Sequence, residues 1–255
     1  MWKLGAVCSI HVIGDWGRRG QFFQRHVAAK MDEIAYDAII SVGDNFYPDG
    51  IESSTDSQIK ESWSDIYNTN KPWYVALGNH DHHGNAKAQT QIDLPWWNMP
   101  APVFDVTVCG HTFVIMDSTT IDGSQWAHVD HLLEKSTNTY KWIVAHHPIY
   151  SAGWHHNVDD DYRDKMIEMY KKHNVIAILS GHDHNLQYIE YENIRQIISG
   201  SGSSAYFVQT KQDGLEFFKP EAGFVNLAIS DNNVQLTYIG VNGTLFTKTI
   251  LFKIV

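Results

Sequence analysis

The chain has little of three things. It carries two cysteines in 255 residues, Cys8 and Cys109. That is too few for the disulfide framework of a stapled secreted domain, and the pair lacks Cys-x-x-Cys spacing, so both read as small apolar side chains. Positive charge is also scarce: 19 Lys and Arg against 29 Asp and Glu leave a formal charge of −10. Clustered Lys and Arg supply the affinity for a phosphate backbone, so no nucleic-acid partner is expected. Finally, no apolar run approaches transmembrane length, and MWKLGAVCSI leads into a strand instead of a signal-peptide cleavage region. No membrane partner is expected, and the compartment stays open.

No linker, low-complexity stretch or charge block interrupts the chain. Residues 1–255 therefore read as a single domain, and a hydrophobic content of 43% supports a proper core. A monomer is the expectation. Asn242-Gly243-Thr244 fits a glycosylation acceptor, but Asn-Gly is also a strong hairpin turn, and the turn is the preferred reading.

Apolar patterning alternates strand and helix. SIHVIGD (9–15) reads as a strand, followed by a helix through Phe23, Val27, Met31 and Ile34. AIISV (38–42) is a buried strand, Ile59, Trp63, Ile66 and Tyr67 mark a helix, and WYVAL (73–77) is a third strand. VFDVTV and TFVIMD form a hairpin about Gly110. Helices through Trp126–Leu133 and Tyr162–Tyr170 flank the strand KWIVA, and VIAILS follows. From Leu186 the chain is mostly β. The expected fold class is α/β, two packed mixed β-sheets flanked by helices.

What the chain has in excess is histidine, fifteen of them, the commonest metal ligand and proton carrier near neutrality. Position decides whether they matter. Five polar bursts each follow the C-terminal end of an apolar strand: GDWG (14–17), GDNFY (43–47), GNHDH (78–82), AHHP (145–148) and GHDHN (181–185). Singly, each is good turn chemistry. Together, at the strand ends where open α/β sheets bind ligands, they point to one site. Asp15, Asp44, Tyr47, Asn79, His146, His182 and His184 offer oxygen and imidazole nitrogen without thiolate, a set that suits Fe, Zn or Mn. Seven donors are too many for one zinc and natural for two metals sharing a carboxylate. Residues 43–47 leave one question open: Tyr47 is either a wall of the loop or a donor beside Asp44.

The five bursts, in order, resemble the motif set of the purple acid phosphatases within the metallophosphoesterase superfamily. PWYVALGNHDHHGNAKAQ, GHDHNLQYI and AGFVNLAIS…VQLTYIGVNGTLF are similar to the small, mammalian-type tartrate-resistant enzymes. The resemblance covers essentially the whole chain and implies a four-layer sandwich and a binuclear acid phosphatase. It places one metal, Fe(III), between Asp15, Asp44, Tyr47 and His184. A second, Fe(II), Zn or Mn, lies between Asp44, Asn79, His146 and His182, with Asp44 bridging. Most members of the superfamily begin Asp-x-His, where that histidine binds the first metal. Here the stretch reads Asp15-Trp16-Gly17, so Tyr47 supplies the missing ligand.

The implied reaction is attack of a metal-bound hydroxide on a phosphate monoester, releasing inorganic phosphate. His80 is the candidate proton donor to the leaving oxygen. His155 resembles the second active-site histidine, its bland alternative being a solvated loop residue in WHHN. Asp81 is expected to orient a neighbouring imidazole. The chain departs from the mammalian enzymes in having only STTIDGSQW (118–126) where they carry a long protease-sensitive loop. It also lacks the disulfide found there. Neither control by loop cleavage nor an oxidising compartment is therefore implied. Rival readings are a Mn or Zn phosphodiesterase or protein phosphatase of the same superfamily, and a non-catalytic scaffold on this fold. The intact donor set and the Gly17–Tyr47 pairing weigh against both.

Overall fold

A computed structural model describes residues 7–156 and 158–252. The first half alternates β1 (Cys8–Ile13), α1 (Gln24–Asp32), β2 (Ala38–Ser41), α2 (Ser57–Ile59), β3 (Trp73–Val75) and β4 (Trp97–Asn98). The hairpin β5 (Val103–Val108) and β6 (His111–Met116) then leads into α3 (Gly123–Lys135), β7 (Lys141–Ala145), α4 (Asp160–Lys172) and β8 (Ile178–Ser180). Six strands follow: β9 (Leu186–Tyr191), β10 (Ile194–Ser199), β11 (Leu215–Lys219), β12 (Gly223–Ile229), β13 (Asn233–Gly240) and β14 (Gly243–Leu251).

The strands form two seven-stranded mixed sheets, in the orders β14-β13-β12-β1-β2-β3-β4 and β11-β9-β10-β8-β7-β6-β5. β1, β2, β3 and β4 run parallel in the first sheet, as do β6, β7, β8 and β10 in the second. The parallel strands that precede the five polar bursts are therefore aligned within each sheet. Hydrogen bonds from Gly14 N to Ser199 O, at 2.8 Å, and from Ser199 Oγ to Val12 O, at 2.7 Å, tie the two sheets together just behind the site.

The main core lies between the sheets, where Trp16, Trp73, Trp142, Tyr188 and Tyr238 are fully buried. A second cluster seals the outer face of the second sheet with Trp126, Val129, Leu132 and Leu133 of α3 and Met166, Met169 and Tyr170 of α4. The expected helical spacing is what puts those side chains on one stripe. Both helices start where their sequences supply a cap. Asp122 and Gln125 form a capping box on α3, and Asp159 accepts from Tyr162 N on α4.

Three sequence expectations need correction. The helix expected through Ile59–Tyr67 is one α-turn that widens into a π-turn over Lys60–Ser64. There Ser62 O accepts from the Gln24 side chain, and Ser62 Oγ accepts from Arg19 N, so the 18–24 loop competes for the helix's own groups. β4 and β11 carry too little periodicity to have been read. Lastly, Cys8 and Cys109 are not independent apolar residues: they form a disulfide with Cα atoms 5.8 Å apart. A pairing across 101 residues joins β1 to the β5–β6 turn, a proximity that only the packing of the sheets creates. The Asn242 turn is as read, since it connects β13 to β14.

Candidate active site

All seven candidate metal donors and both candidate catalytic histidines come together at the C-terminal ends of the parallel strands. Asp15 follows β1, Asp44 and Tyr47 follow β2, Asn79 and His80 follow β3, His146 follows β7, and His182 and His184 follow β8. Strand exit is sharp at three of them. Asp15, Asp44 and His182 have φ of 59°, 53° and 69°, a left-handed conformation uncommon outside glycine and concentrated at functional sites.

The donors fall into two groups that share Asp44. Tyr47 Oη lies 2.9 Å from Asp15 Oδ1, 2.7 Å from Asp44 Oδ2 and 3.1 Å from His184 Nε2. On the other side, His146 Nε2 lies 3.2 Å from Asn79 Oδ1 and 3.4 Å from Asp44 Oδ2. The His182 ring centroid is 5.1 Å from that of His146. Asp44 Oδ2 is thus the atom that touches both groups, the position a bridging carboxylate needs. Donor atoms of Asp15, Asp44 and His146 fall within 4.8 Å of one another.

Tyr47 is not a bare wall residue, and Gly17 explains why. A Cβ at position 17 would overlap the carbonyl of Asn45. Tyr47 N donates to Gly17 O at 2.9 Å. The 45–47 loop therefore packs directly on Gly17, which leaves no room for a side chain there, and carries the phenol to Asp15, Asp44 and His184. Gly78 has a similar role, since a Cβ there would run into the Asp44 carboxylate.

The electrostatics suit a cation. Asp15 and Asp44 are buried, and among the described residues neither is paired with Lys or Arg; histidines are their only cationic partners. Buried carboxylates without compensation are costly. Protons hold the cluster together instead. Burial and the nearby carboxylates of Asp15 and Asp44 push the Tyr47 phenol well up. Burial pulls His146 down, but the same two carboxylates outweigh it and raise the imidazole to about 10. A metal bound by these atoms has to displace those protons. Carboxylate, phenol, amide and imidazole donors, converging without thiolate, fit hard or borderline metal ions.

The orienting contacts are those the sequence did not single out. His80 Nδ1 donates to Pro48 O at 2.5 Å, since a carbonyl only accepts, and this leaves Nε2 as the ring's free nitrogen. Asp183 Oδ1 accepts from His155 N at 2.9 Å and lies 3.3 Å from its Nδ1. This contact raises the His155 pKa against the opposing effect of burial. Asp117 pairs with His82 at 2.9 Å, and Ser118 Oγ with His147 Nδ1 at 2.8 Å. His146 Nδ1 faces Val42 O at 2.9 Å and His184 Nδ1 faces Ser204 Oγ at 3.2 Å. Arg18 lies 3.7 Å over the centre of the Tyr47 ring. Asp183 sits inside GHDHN, so its motif was visible even though its role was not.

Asp81 does not orient an imidazole. It is fully buried and accepts from Asn45 N, Phe46 N, Gly78 N and Gln89 Nε2 at 2.8–3.3 Å. Its task is to lock the 43–47 loop onto the 78–81 loop. Above the cluster opens a cavity of about 540 Å³, with Asp44, Asn79, His80, His155, His182 and His184 in its polar part.

The model of the calcineurin-like phosphoesterase family matches residues 8–186. Purple acid phosphatase 7 of Arabidopsis thaliana is 32% identical over 96% of this chain and 86% of its own length. The human tartrate-resistant acid phosphatase type 5 is 27% identical over 94% of this chain and 89% of its own. Among solved structures, GAP50, the anchor in the inner membrane complex of Plasmodium, aligns with a TM-score of 0.81 at 22% identity, covering 97% of this chain and 89% of that one. The purple acid phosphatase PPD1 of yellow lupin (Lupinus luteus) seeds aligns with a TM-score of 0.78 at 16% identity, covering 96% and 54%. The matched region carries all five polar bursts, and the chain belongs to the purple acid phosphatase family of the calcineurin-like phosphoesterases.

Proposed function

We propose that this protein is an acid phosphatase that hydrolyses phosphate monoesters on a binuclear metal centre, Fe(III) paired with Fe(II), Zn or Mn. Family membership supports a metal-dependent phosphatase. The finer reading rests on one observation, that Asp44 Oδ2 is within 3.4 Å of both Tyr47 Oη and His146 Nε2. A single carboxylate between two donor groups suits two cations, with Asp15, Tyr47 and His184 on one side and Asn79, His146 and His182 on the other.

Bound there, two cations would supply Lewis acidity, neutralising charge on phosphoryl oxygens and acidifying water. The remaining work falls to side chains. His80, in its doubly protonated form, keeps Nδ1–H on Pro48 O and presents Nε2–H to the leaving oxygen, general acid help typically worth about 10²–10⁴-fold. His155, held by Asp183, would donate to a phosphoryl oxygen. Substrate and inorganic phosphate are the expected partners of the monomer. No helix among the described residues is long and apolar enough to cross a membrane.

The rival of a Mn or Zn diesterase lacks support at Gly17, where this chain trades a histidine for the phenol. The scaffold reading draws on the fold shared with GAP50, but a scaffold has no need of the whole donor set. Metal analysis and a visible spectrum on aerobically purified protein, with monoester and diester turnover measured from pH 4 to 8 with and without tartrate, test the proposal. Two metals, a visible band and tartrate-resistant monoester turnover at acid pH are expected. Faster diester turnover at every pH refutes the monoesterase assignment.

A further inference from the structure

Two neighbouring arginines reach Tyr47 on different terms. Arg19 Nη1 donates to Tyr47 O at 3.4 Å, and its charge is met by Glu61, 3.0 Å from Nε. Arg18 has no such counter-charge: among the described residues, the ion pairs of arginine belong to Arg19, Arg163 and Arg195. Its guanidinium carbon lies instead 3.7 Å over the centre of the Tyr47 ring and 5.5 Å over that of Phe22, so the cation meets two aromatic rings and no carboxylate. Phe22 has a φ of 53°, left-handed and a genuine outlier for so bulky a residue, the kind of strain that clusters at functional sites. The half-buried Arg18 is also held in place. Its backbone N donates to Gln24 Oε1 at 3.0 Å and its Nε to Ser203 Oγ at 3.1 Å, and that hydroxyl donates to Asp15 O at 2.6 Å. One chain of contacts thus fixes a full positive charge on the face of the ring whose oxygen touches Asp15, Asp44 and His184.

We infer that Arg18 is a positioning residue that acts through Tyr47: its guanidinium holds the ring in place and draws electron density away from the oxygen, and so sets how much charge Tyr47 gives to a hard metal ion. The inference rests on the reading of Tyr47 as a donor to Fe(III). The negative charge of a phenolate spreads over the ring carbons, and a cation stacked on the ring face stabilises it there. Charge kept on the ring is charge not given to the metal. Arg18 therefore raises the energy of charge transfer from phenolate to Fe(III), and it weakens the preference of the donor for the ferric over the ferrous ion. Removing the cation reverses both effects. Arg19 cannot substitute for it, because its guanidinium meets the Tyr47 carbonyl and Glu61.

The test compares iron-loaded wild type, Arg18→Gln and Arg18→Lys by iron content, visible spectrum and reductive titration of the ferric ion. Glutamine removes the charge, and lysine keeps a charge without the planar stack. In Arg18→Gln the band should move to longer wavelength and Fe(III) should need a lower potential for reduction, with Arg18→Lys between it and wild type. An unmoved band and potential in Arg18→Gln with its iron retained overturn the inference. Equal shifts in the two variants also overturn it, because a role confined to holding the loop does not depend on charge. If iron-loaded wild type shows no visible band at all, the reading of Tyr47 as a donor falls, and the inference with it. Should Arg18→Gln lose its iron, the metal-free protein decides, through a double-mutant cycle of Arg18→Gln and Tyr47→Leu in urea unfolding. A cation stacked on a ring predicts a coupling of about 2- to 30-fold in the unfolding constant. Additive effects overturn the inference.

Discussion

The Cys8–Cys109 bond can be tested quantitatively by removing it. Replacing both cysteines with alanine takes away a cross-link spanning 101 residues, and the chain-entropy model assigns about 4.7 kcal/mol to a loop of that length. The bond joins β1, the central strand of one sheet, to the β5–β6 turn at the edge of the other. The reduced chain thus gains freedom across most of its first half. For a chain of this size each kcal/mol moves the melting temperature by about 2–4 °C, so a fall of roughly 10–20 °C is expected. Melting should be followed on metal-free protein, because a reductant also acts on iron. Wild type with a phosphine reductant should melt with the Cys8→Ala/Cys109→Ala variant, and untreated wild type well above both. Thiol titration of denatured, unreduced protein should find no free thiol. Two free thiols in protein made in an oxidising compartment, or a variant melting within about 2 °C of wild type, would refute the reasoning. The bond also bears on location, since disulfides persist in oxidising compartments. The lack of the mammalian enzymes' disulfide is therefore no argument against one.

Tyr47→Phe should abolish the visible band expected of a phenolate on Fe(III). Because the hydroxyl donates to buried carboxylates, the metal-free form should also lose about 1–3 kcal/mol in urea unfolding; a mutant that keeps the band ends the ligand assignment. His80→Ala should lower kcat about 10²–10⁴-fold on alkyl phosphates and much less on an activated aryl ester, with both metals retained. An equal loss on both esters, or loss of metal, contradicts a proton donor. Burial lowers His11 and His111 to about 4. Unfolding lets each take up a proton below its ordinary pKa near 6.5, so stability is full above that pH and lost as pH falls toward 4. The loss is on the order of 3 kcal/mol per histidine across the window. His111→Gln, which keeps an acceptor for the Trp142 indole N–H, should flatten the pH dependence of urea unfolding measured against wild type. An unchanged slope disproves the assignment of His111.

Sequence alone determined which residues form the layers and which polar side chains gather at the strand ends. Strand runs such as KWIVA and the helical spacing of Trp126, Val129, Leu132 and Leu133 are local signals, written in neighbouring residues, and the structure keeps them. The five bursts were legible for a similar reason: turn residues and candidate metal donors share the same few positions after each strand. Tertiary structure alone decided what those residues touch. Asp81 and Asp183 both sit in readable motifs, yet one knots two loops and the other holds His155, because a carboxylate's role is set by the donors that folding places around it. The same holds for Cys8 and Cys109. Their partners lie dozens of residues away, and no local pattern encodes a distance that arises only when two sheets close on each other.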